Sequence, residues 1–401
     1  MENNEKLTIG IFNDSFYPLT DGVISVVDNY ARRLSQYANV IVFVPKYFRK
    51  KYDDSVFPYK VVRCQALKVP RLDYSFPIPK LDPKFILTLR KYKFDIIHVH
   101  SPFPIGRAGL RYAVKHNIPC VATMHTQFKQ DLKKFFKIEK IAERYNKHLI
   151  KFFNKCDECW AVNQEVARIY HEEYGYKCLP RVMNNATEMV TVDKNEAFET
   201  INKKYNIKPD EKVFIFVGRI NTLKNILFIA DSVAKVKQMK PDLKFKMLYV
   251  GSGRDEDKLN KRIKELNLEN DVIMCGKVSD RKLLAQLYSR ADLMLFPSVY
   301  DCSSIVQIEA ASQKTPVLFL KNTATACMIE DNINGFLSEY NINDYAKRIT
   351  EIIQNDDLYK TVSENAHKML YKTWNDTVDE AYEIYKTLIR QKQENKNILS
   401  V

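Results

Sequence analysis

No run of about 18 or more apolar residues occurs in this 401-residue chain, so no helix is expected to span a bilayer. The opening MENNEKLTIG has neither the charged segment nor the apolar core of an export signal, which leads to the expectation of a cytoplasmic protein. Short-period repeats and low-complexity tracts are lacking, and the composition excludes a disordered or fibrous chain. Paired cysteines are scarce. Cysteines stand at 64, 120, 156, 159, 178, 275, 302 and 327, only Cys156 and Cys159 form a CxxC, and no second pair follows at zinc spacing. They read as reduced, partly buried thiols rather than as a metal or redox centre. A recognised nucleic-acid-binding module is also missing.

What remains is a globular composition, 45% hydrophobic and 28% charged, in a chain long enough for two domains. The net charge of +14 is unevenly spread. Residues 1–190 carry 31 Lys and Arg against 19 Asp and Glu, and the remainder carries 32 against 30. A basic half joined to a near-neutral half points to an acidic partner on one side, nucleic acid or an anionic membrane surface.

Strand-like and helix-like segments alternate along the chain: Leu7–Phe12, Val23–Tyr37, Val40–Val44, Ile96–Val99, Gly106–His116 and Cys120–Met124. The alternation restarts with Lys212–Val217, Asn225–Lys237, Lys244–Val250, Asp255–Leu266, Val272–Met274, Lys282–Ser289, Leu293–Phe296, Ser304–Ser312 and Pro316–Leu320. Short apolar strands between helices argue for parallel, doubly wound sheets. Two such α/β modules are expected, 1–190 and 191–374, with a polar joint near 185–211 and a last helical stretch, Thr377–Ile389, after Trp374.

Doubly wound sheets bind ligands beyond the carboxyl ends of their strands. Gly22 lies in the loop before the first helix, where a bare backbone can approach an anion. Gly218-Arg219-Ile220-Asn221-Thr222-Leu223-Lys224 follows a strand and offers two cations to a diphosphate, the alternative being a solvated turn. Gly251 and Gly253 form a second turn before a helix. Asp301 is followed by Cys302, Ser303, Ser304 and Ile305, and Glu309 lies two helical turns on, placed to take ribose hydroxyls. Of the histidines at strand ends, His98, His100 and His125, the last is the best candidate for chemistry.

Together these segments resemble the retaining GT-B glycosyltransferases of family four. The resemblance rests on Pro18-x-x-x-Gly22-Val23, Asp95-Ile96-Ile97-His98-Val99-His100, Met124-His125-Thr126, Val217-Gly218-Arg219 with Lys224, Val250-Gly251-Ser252-Gly253, and the acidic pair Asp301 and Glu309 with seven residues between. It implies a GT-B fold, two Rossmann-like domains facing a central cleft, with the last helix crossing back to the first. It also implies roles. Arg219 and Lys224 would hold the donor diphosphate, Glu309 the ribose, and Asp301 the hexose. Gly22 would border the phosphates, His125 would lie by sugar and acceptor, and backbone near Gly276, Lys277 and Val278 would meet the base. Gly251, Gly253, Ser303, Ser304 and Ile305 complete the donor set. No metal or other cofactor is implied, the nucleotide sugar being a substrate. The family usually carries Glu where this chain has Asp301, Phe-Gly where it has Ser303-Ser304, and often a second glycine where it has Asp21.

From Phe128 to Lys155 an aromatic and aliphatic stripe runs beside a basic one: Lys129, Lys133, Lys137, Lys140, Arg144, Lys147 and Lys151, with Phe135 and Phe152 in the apolar set. Such a segment suits an interfacial helix, the alternative being a core helix with a solvated lysine face. Within the family this basicity, the chain length and the Ser-Ser variant point to bacterial members that glucosylate diacylglycerol at its 3-hydroxyl. The expectation is therefore a UDP-glucose-dependent enzyme, peripheral on the inner face of the membrane, that does not bind nucleic acid. A cell-wall or capsule glycosyltransferase with a polyprenyl-linked or sugar acceptor, and a non-catalytic sugar-nucleotide binder, stay open, as does the oligomeric state.

Overall fold

The computed structural model describes residues 6–19, 21–47, 52–68, 75–126, 139–299, 301 and 304–398, apart from the side chains of 139, 141, 142, 397 and 398. The chain divides into two units, one of residues 1–185 with 374–401 and one of residues 186–373.

In the first unit the strands are β1 (Thr8–Phe12), β2 (Asn39–Pro45), β3 (Lys60–Cys64), β4 (Ala66–Lys68), β5 (Ser75–Pro77), β6 (Ile96–Val99), β7 (Cys120–Met124), β8 (Glu158–Ala161) and β9 (Arg181–Val182). All but β4 and β5, which form an antiparallel pair, join one sheet in the order β3-β2-β1-β6-β7-β8-β9. Its pairings are parallel. Sheet strands covered on both faces must be apolar throughout, and Ile9, Ile11, Val42, Phe43, Ile96 and Val121 are fully buried. The chain winds outward in one direction from β1 and in the other from β6, so the loops after these two strands diverge at a switch point.

The second unit repeats the scheme with β10 (Lys212–Val217), β11 (Phe245–Val250), β12 (Val272–Gly276), β13 (Leu293–Leu295), β14 (Val317–Leu320) and β15 (Phe336–Ser338). Their order is β12-β11-β10-β13-β14-β15, again parallel, with the switch point between β10 and β13. Strand β15 extends a series that the sequence pattern ends at β14.

Two features differ from the sequence reading. The polar joint contains the helix Lys194–Tyr205, whose Glu196 and Asn202 meet Gln286 and Arg290 of the helix Arg281–Arg290. The dividing point lies at Asn185 because Thr187 already belongs with the second unit: it bridges Thr373, and its N–H donates to the carbonyl of Lys372 at 3.1 Å.

The last helix, Trp374–Ile398, is part of the first unit. Val378, Ala381 and Tyr385 form its buried stripe. The Tyr385 ring stacks on Trp160 at 5.6 Å, and its hydroxyl lies 2.6 Å from Nδ1 of His98 on β6. Lys392 pairs with Asp157 at 2.6 Å. Among the described residues no helix is long and apolar enough to cross a membrane.

Candidate functional site

The switch point of the second unit brings together what the sequence separates by more than seventy residues. After β10 the chain turns through Gly218 and Arg219, forms the short helix Thr222–Lys224, and enters the helix Ile226–Met239 through Asn225. After β13 it passes Phe296 and Pro297 to Asp301 and then the helix Ile305–Ser312. The Lys224 ammonium forms an ion pair with Oδ1 of Asp301, both side chains being largely buried. Oδ2 of Asp301 is buried and has no hydrogen-bond partner among the described residues. Arg219 is exposed, with no side-chain ion pair or hydrogen bond recorded among the described residues.

Three backbones are packed around this point. A Cβ on Gly251 would lie 1.8 Å from the Gly218 carbonyl oxygen, and one on Gly253 would lie 2.2 Å from that of Ile220. Gly251 donates its N–H to Gly276, and Ile220 donates to Ser252. The Gly253 N–H is taken by the Glu256 carboxylate at 2.5 Å. These two glycines therefore answer first to loop packing. Val278, in the loop after β12, is half-buried against the core of the second unit.

Glu309 lies on the helix Ile305–Ser312 and is 6% exposed. Each of its oxygens holds one donor, Nη1 of Arg281 at 3.0 Å and the Tyr288 hydroxyl at 3.0 Å. Burial and the facing carboxylate hold the Tyr288 phenol well above its usual range, so it remains a donor. A carboxylate has about four acceptor positions, so each oxygen keeps capacity for a hydroxyl.

Neither helix that leaves the switch point of the second unit has its N-terminus closed by the side chain of its own N-cap residue, Asn225 or Ser304. In the first unit both corresponding helices are closed by carboxylates. Asp21 accepts from Ile24 N–H at 2.8 Å, at the start of the helix Gly22–Leu34. Asp14 accepts from Ile105 and Gly106 N–H at 2.8 and 3.1 Å, and from Ser101 Oγ at 2.6 Å. Burial pushes the Asp14 carboxyl up to about 6 despite these donors. Helix N-termini attract anions, and among the described residues no carboxylate bond closes those at the switch point of the second unit. Gly22 opens its helix in free space, with nothing within 4 Å of a Cβ built there.

The three strand-end histidines divide by role. His98 has both ring nitrogens engaged, with Thr123 Oγ1 at 2.7 Å and Tyr385 at 2.6 Å, so it is a packing residue. His100 Nδ1 meets His125 Nε2 at 3.0 Å with the rings stacked. Burial lowers all three, His125 to about 3, so the imidazoles are neutral. Cys156 and Cys159 are buried free thiols, held well above the usual thiol range.

Of the basic stripe, Lys129, Lys133, Phe135 and Lys137 lie outside the described residues, as does Ser303 of the donor set. The helix Glu139–Phe153 presents Lys140, Arg144, Lys147 and Lys151 to solvent. Phe152 does not join them. It is 2% exposed, with the Arg107 guanidinium over its ring at 5.3 Å, because the apolar face of this helix, with Leu149 and Phe153, packs into the core. Assigning Phe152 to a membrane contact is thereby corrected.

Sequence reasoning missed Arg281 and Tyr288, which hold Glu309, and Asp255, whose carboxylate accepts from the Thr222 N–H at 2.9 Å and secures the Lys224 turn. Nothing in the local sequence marks any of them, since each acts across the fold.

Two family profiles match the chain: Glycosyltransferase Family 4 over residues 20–188 and Glycosyl transferases group 1 over residues 197–369. The chain belongs to the family-four glycosyltransferases of the GT-B type. Among curated relatives, the alpha-monoglucosyldiacylglycerol synthase of Acholeplasma laidlawii is 24% identical over 375 residues, 90% of this chain and 92% of that one. The enzyme of the same name from Streptococcus pneumoniae is 24% identical over 385 residues, 94% and 85% of the two chains. The N-acetyl-alpha-D-glucosaminyl L-malate synthase of Bacillus anthracis is 23% identical over 98% of this chain and 100% of its own. Among solved structures, Anabaena HepE in complex with UDP and glucose superposes with a TM-score of 0.72 at 17% identity, covering 95% and 100% of the two chains.

Proposed function

We propose that this glycosyltransferase moves glucose from UDP-glucose to the 3-hydroxyl of 1,2-diacylglycerol at a membrane surface, giving alpha-monoglucosyldiacylglycerol. The observation that carries the donor half is the open switch point of the second unit. Two helix N-termini that their own N-cap side chains leave open follow the loops that carry Arg219, Lys224 and Asp301, and the second helix bears a buried Glu309 with spare acceptor positions. In this reading Arg219 and Lys224 bind the diphosphate and stabilise the charge that grows on it as it leaves. Glu309 takes the ribose hydroxyls, Asp301 faces the hexose, and Ser303, Ser304 and Ile305 offer the helix start to phosphate. Backbone near Val278 meets the base. Gly22 and His125 serve from the first unit, His125 as a neutral imidazole able to accept or donate one hydrogen bond.

Retention follows if the acceptor oxygen bonds to the anomeric carbon on the face from which the phosphate departs. The acceptor proton then passes to a departing phosphate oxygen. The cations supply the positive charge for this step, and the proposed reaction needs no metal ion, so chelator should leave turnover unchanged.

The acceptor half is supported by the two synthases of that name among the relatives and by the exposed cationic face of the helix Glu139–Phe153. A second reading is favoured by relatives of similar identity whose names specify other acceptors, L-malate and a diphosphoundecaprenol-linked sugar. The test is incubation with UDP-glucose, UDP-galactose or GDP-mannose in mixed micelles containing diacylglycerol, then mass spectrometry of the lipids. A glucosyl-diacylglycerol is the expected product. Transfer to a soluble or polyprenyl-linked acceptor with diacylglycerol ignored would sink the proposal.

A further inference from the structure

Asn225 stands at the junction of the Lys224 turn and the helix Ile226–Met239, with φ 55° and ψ 35°. Left-handed backbone costs most side chains energy, and glycine or asparagine tolerates it best. Glycine would meet the backbone need alone, yet here a side chain is present and both ends of its amide are engaged. Nδ2 donates to the Pro297 carbonyl at 2.7 Å, and Oδ1 accepts from the Tyr340 hydroxyl at 3.2 Å. A carbonyl oxygen can only accept, so the amide nitrogen must face Pro297, and the Tyr340 hydroxyl closes the other end. Tyr340 is itself steadied by Phe228, its ring 5.2 Å away on the helix that Asn225 begins.

One amide thus joins the loop after β10, which carries Lys224, to the loop after β13, which carries Asp301. The direct link between those loops at their tips is the Lys224–Asp301 ion pair. A diphosphate that takes the Lys224 ammonium competes with Asp301 for it, and the tip link weakens when the donor arrives. The Asn225 clip does not involve either charge and persists.

We propose that Asn225, with Tyr340 behind it, is a positioning residue that keeps Asp301 in register with the hexose after Lys224 has turned to the diphosphate. The inference rests on the donor reading given above. It makes the clip irrelevant to UDP, which has no hexose, and important for the sugar transfer.

The test uses the full chain and the variants Asn225→Gly, which keeps the left-handed turn, and Tyr340→Phe, which leaves the amide without its second partner. Loss of a neutral hydrogen bond of this kind corresponds to about a tenfold change. Asn225→Gly should lower kcat for transfer or donor hydrolysis about tenfold, with the UDP dissociation constant and the melting temperature nearly unchanged. Tyr340→Phe should show a smaller fall in the same parameter. Wild-type kcat in Asn225→Gly overturns the inference, and so does a loss of UDP affinity that parallels the loss of kcat, since that would mark a merely structural role. A wild-type chain that neither binds UDP nor turns over any nucleotide sugar, with Lys224→Ala no different, would instead overturn the donor reading beneath it.

Discussion

Glycines with similar motif credentials do different work in this molecule. Gly251 sits at φ 144° with its missing Cβ pointing 1.8 Å from a carbonyl oxygen. Gly251→Ala should therefore cost at least about 3 kcal/mol, through strain and displaced backbone together, and yield little folded protein. Gly22 lies at a helix start with open space around it, and Gly22→Ala should leave the melting temperature unchanged or slightly raised. If phosphate approaches that backbone, the same variant raises KM for the donor. Thermal denaturation and donor titration of the pair separate packing from binding. The sequence shows both glycines in loops and cannot tell them apart, because the deciding atoms belong to Gly218 in one case and to nothing in the other.

At the scale of elements, the regular pieces follow from apolar periodicity wherever a strand or helix is long. Ile96–Val99, Cys120–Met124 and Lys212–Val217 are read from the sequence with the bounds the structure shows. Short or weakly patterned pieces escape it. β9 has two residues, and the helix Lys194–Tyr205 buries only Ala197 and Ile201. The proposed donor residues were legible as types in loops after strands, but the ion pair between Lys224 and Asp301, the hold of Arg281 and Tyr288 on Glu309, and the Asp14 carboxylate closing the helix Pro104–His116 depend on strand order. The helix Glu139–Phe153 shows how a stripe misleads: Phe152 and Phe153 belong to the core, and Lys140, Arg144, Lys147 and Lys151 face out beside Glu143 and His148. Charge reversal of Lys140, Arg144, Lys147 and Lys151 to Glu should abolish flotation with anionic vesicles, each cation contributing about 1 kcal/mol at such a surface. UDP binding should stay intact. Unchanged flotation of the reversed chain would remove this face from the membrane reading.

The whole molecule carries an acid sensitivity in its first unit. His98, His100 and His125 are held below their ordinary value of 6.5, so the unfolded chain binds their protons first as pH falls. Their contribution to stability is complete above pH 6.5 and is lost as pH falls toward about 3, the His125 value. Asp14 acts in the opposite sense. Its carboxyl, raised to about 6, favours the folded state at low pH and loses that contribution as pH rises from 3.8 to 6. Three groups oppose one, so the melting temperature should fall steadily between pH 6.5 and 4.5. Asp14→Asn should steepen that fall by removing the offset. A flat profile in scanning calorimetry would show that the three imidazoles are not buried as neutral rings.

The chain begins and ends in the same unit, with residues 186–373 inserted between. Thr187 and Thr373 are bridged, so the insert leaves and returns at one place, as a cassette does. During synthesis, His98 must wait for Tyr385, delivered almost 290 residues later, before its ring is satisfied. The inserted unit ends at Thr373, so all of it has been synthesised before Tyr385 is made. A unit that leaves and returns at one place can be exchanged for another of its kind while the surrounding frame keeps its own sheet and helices.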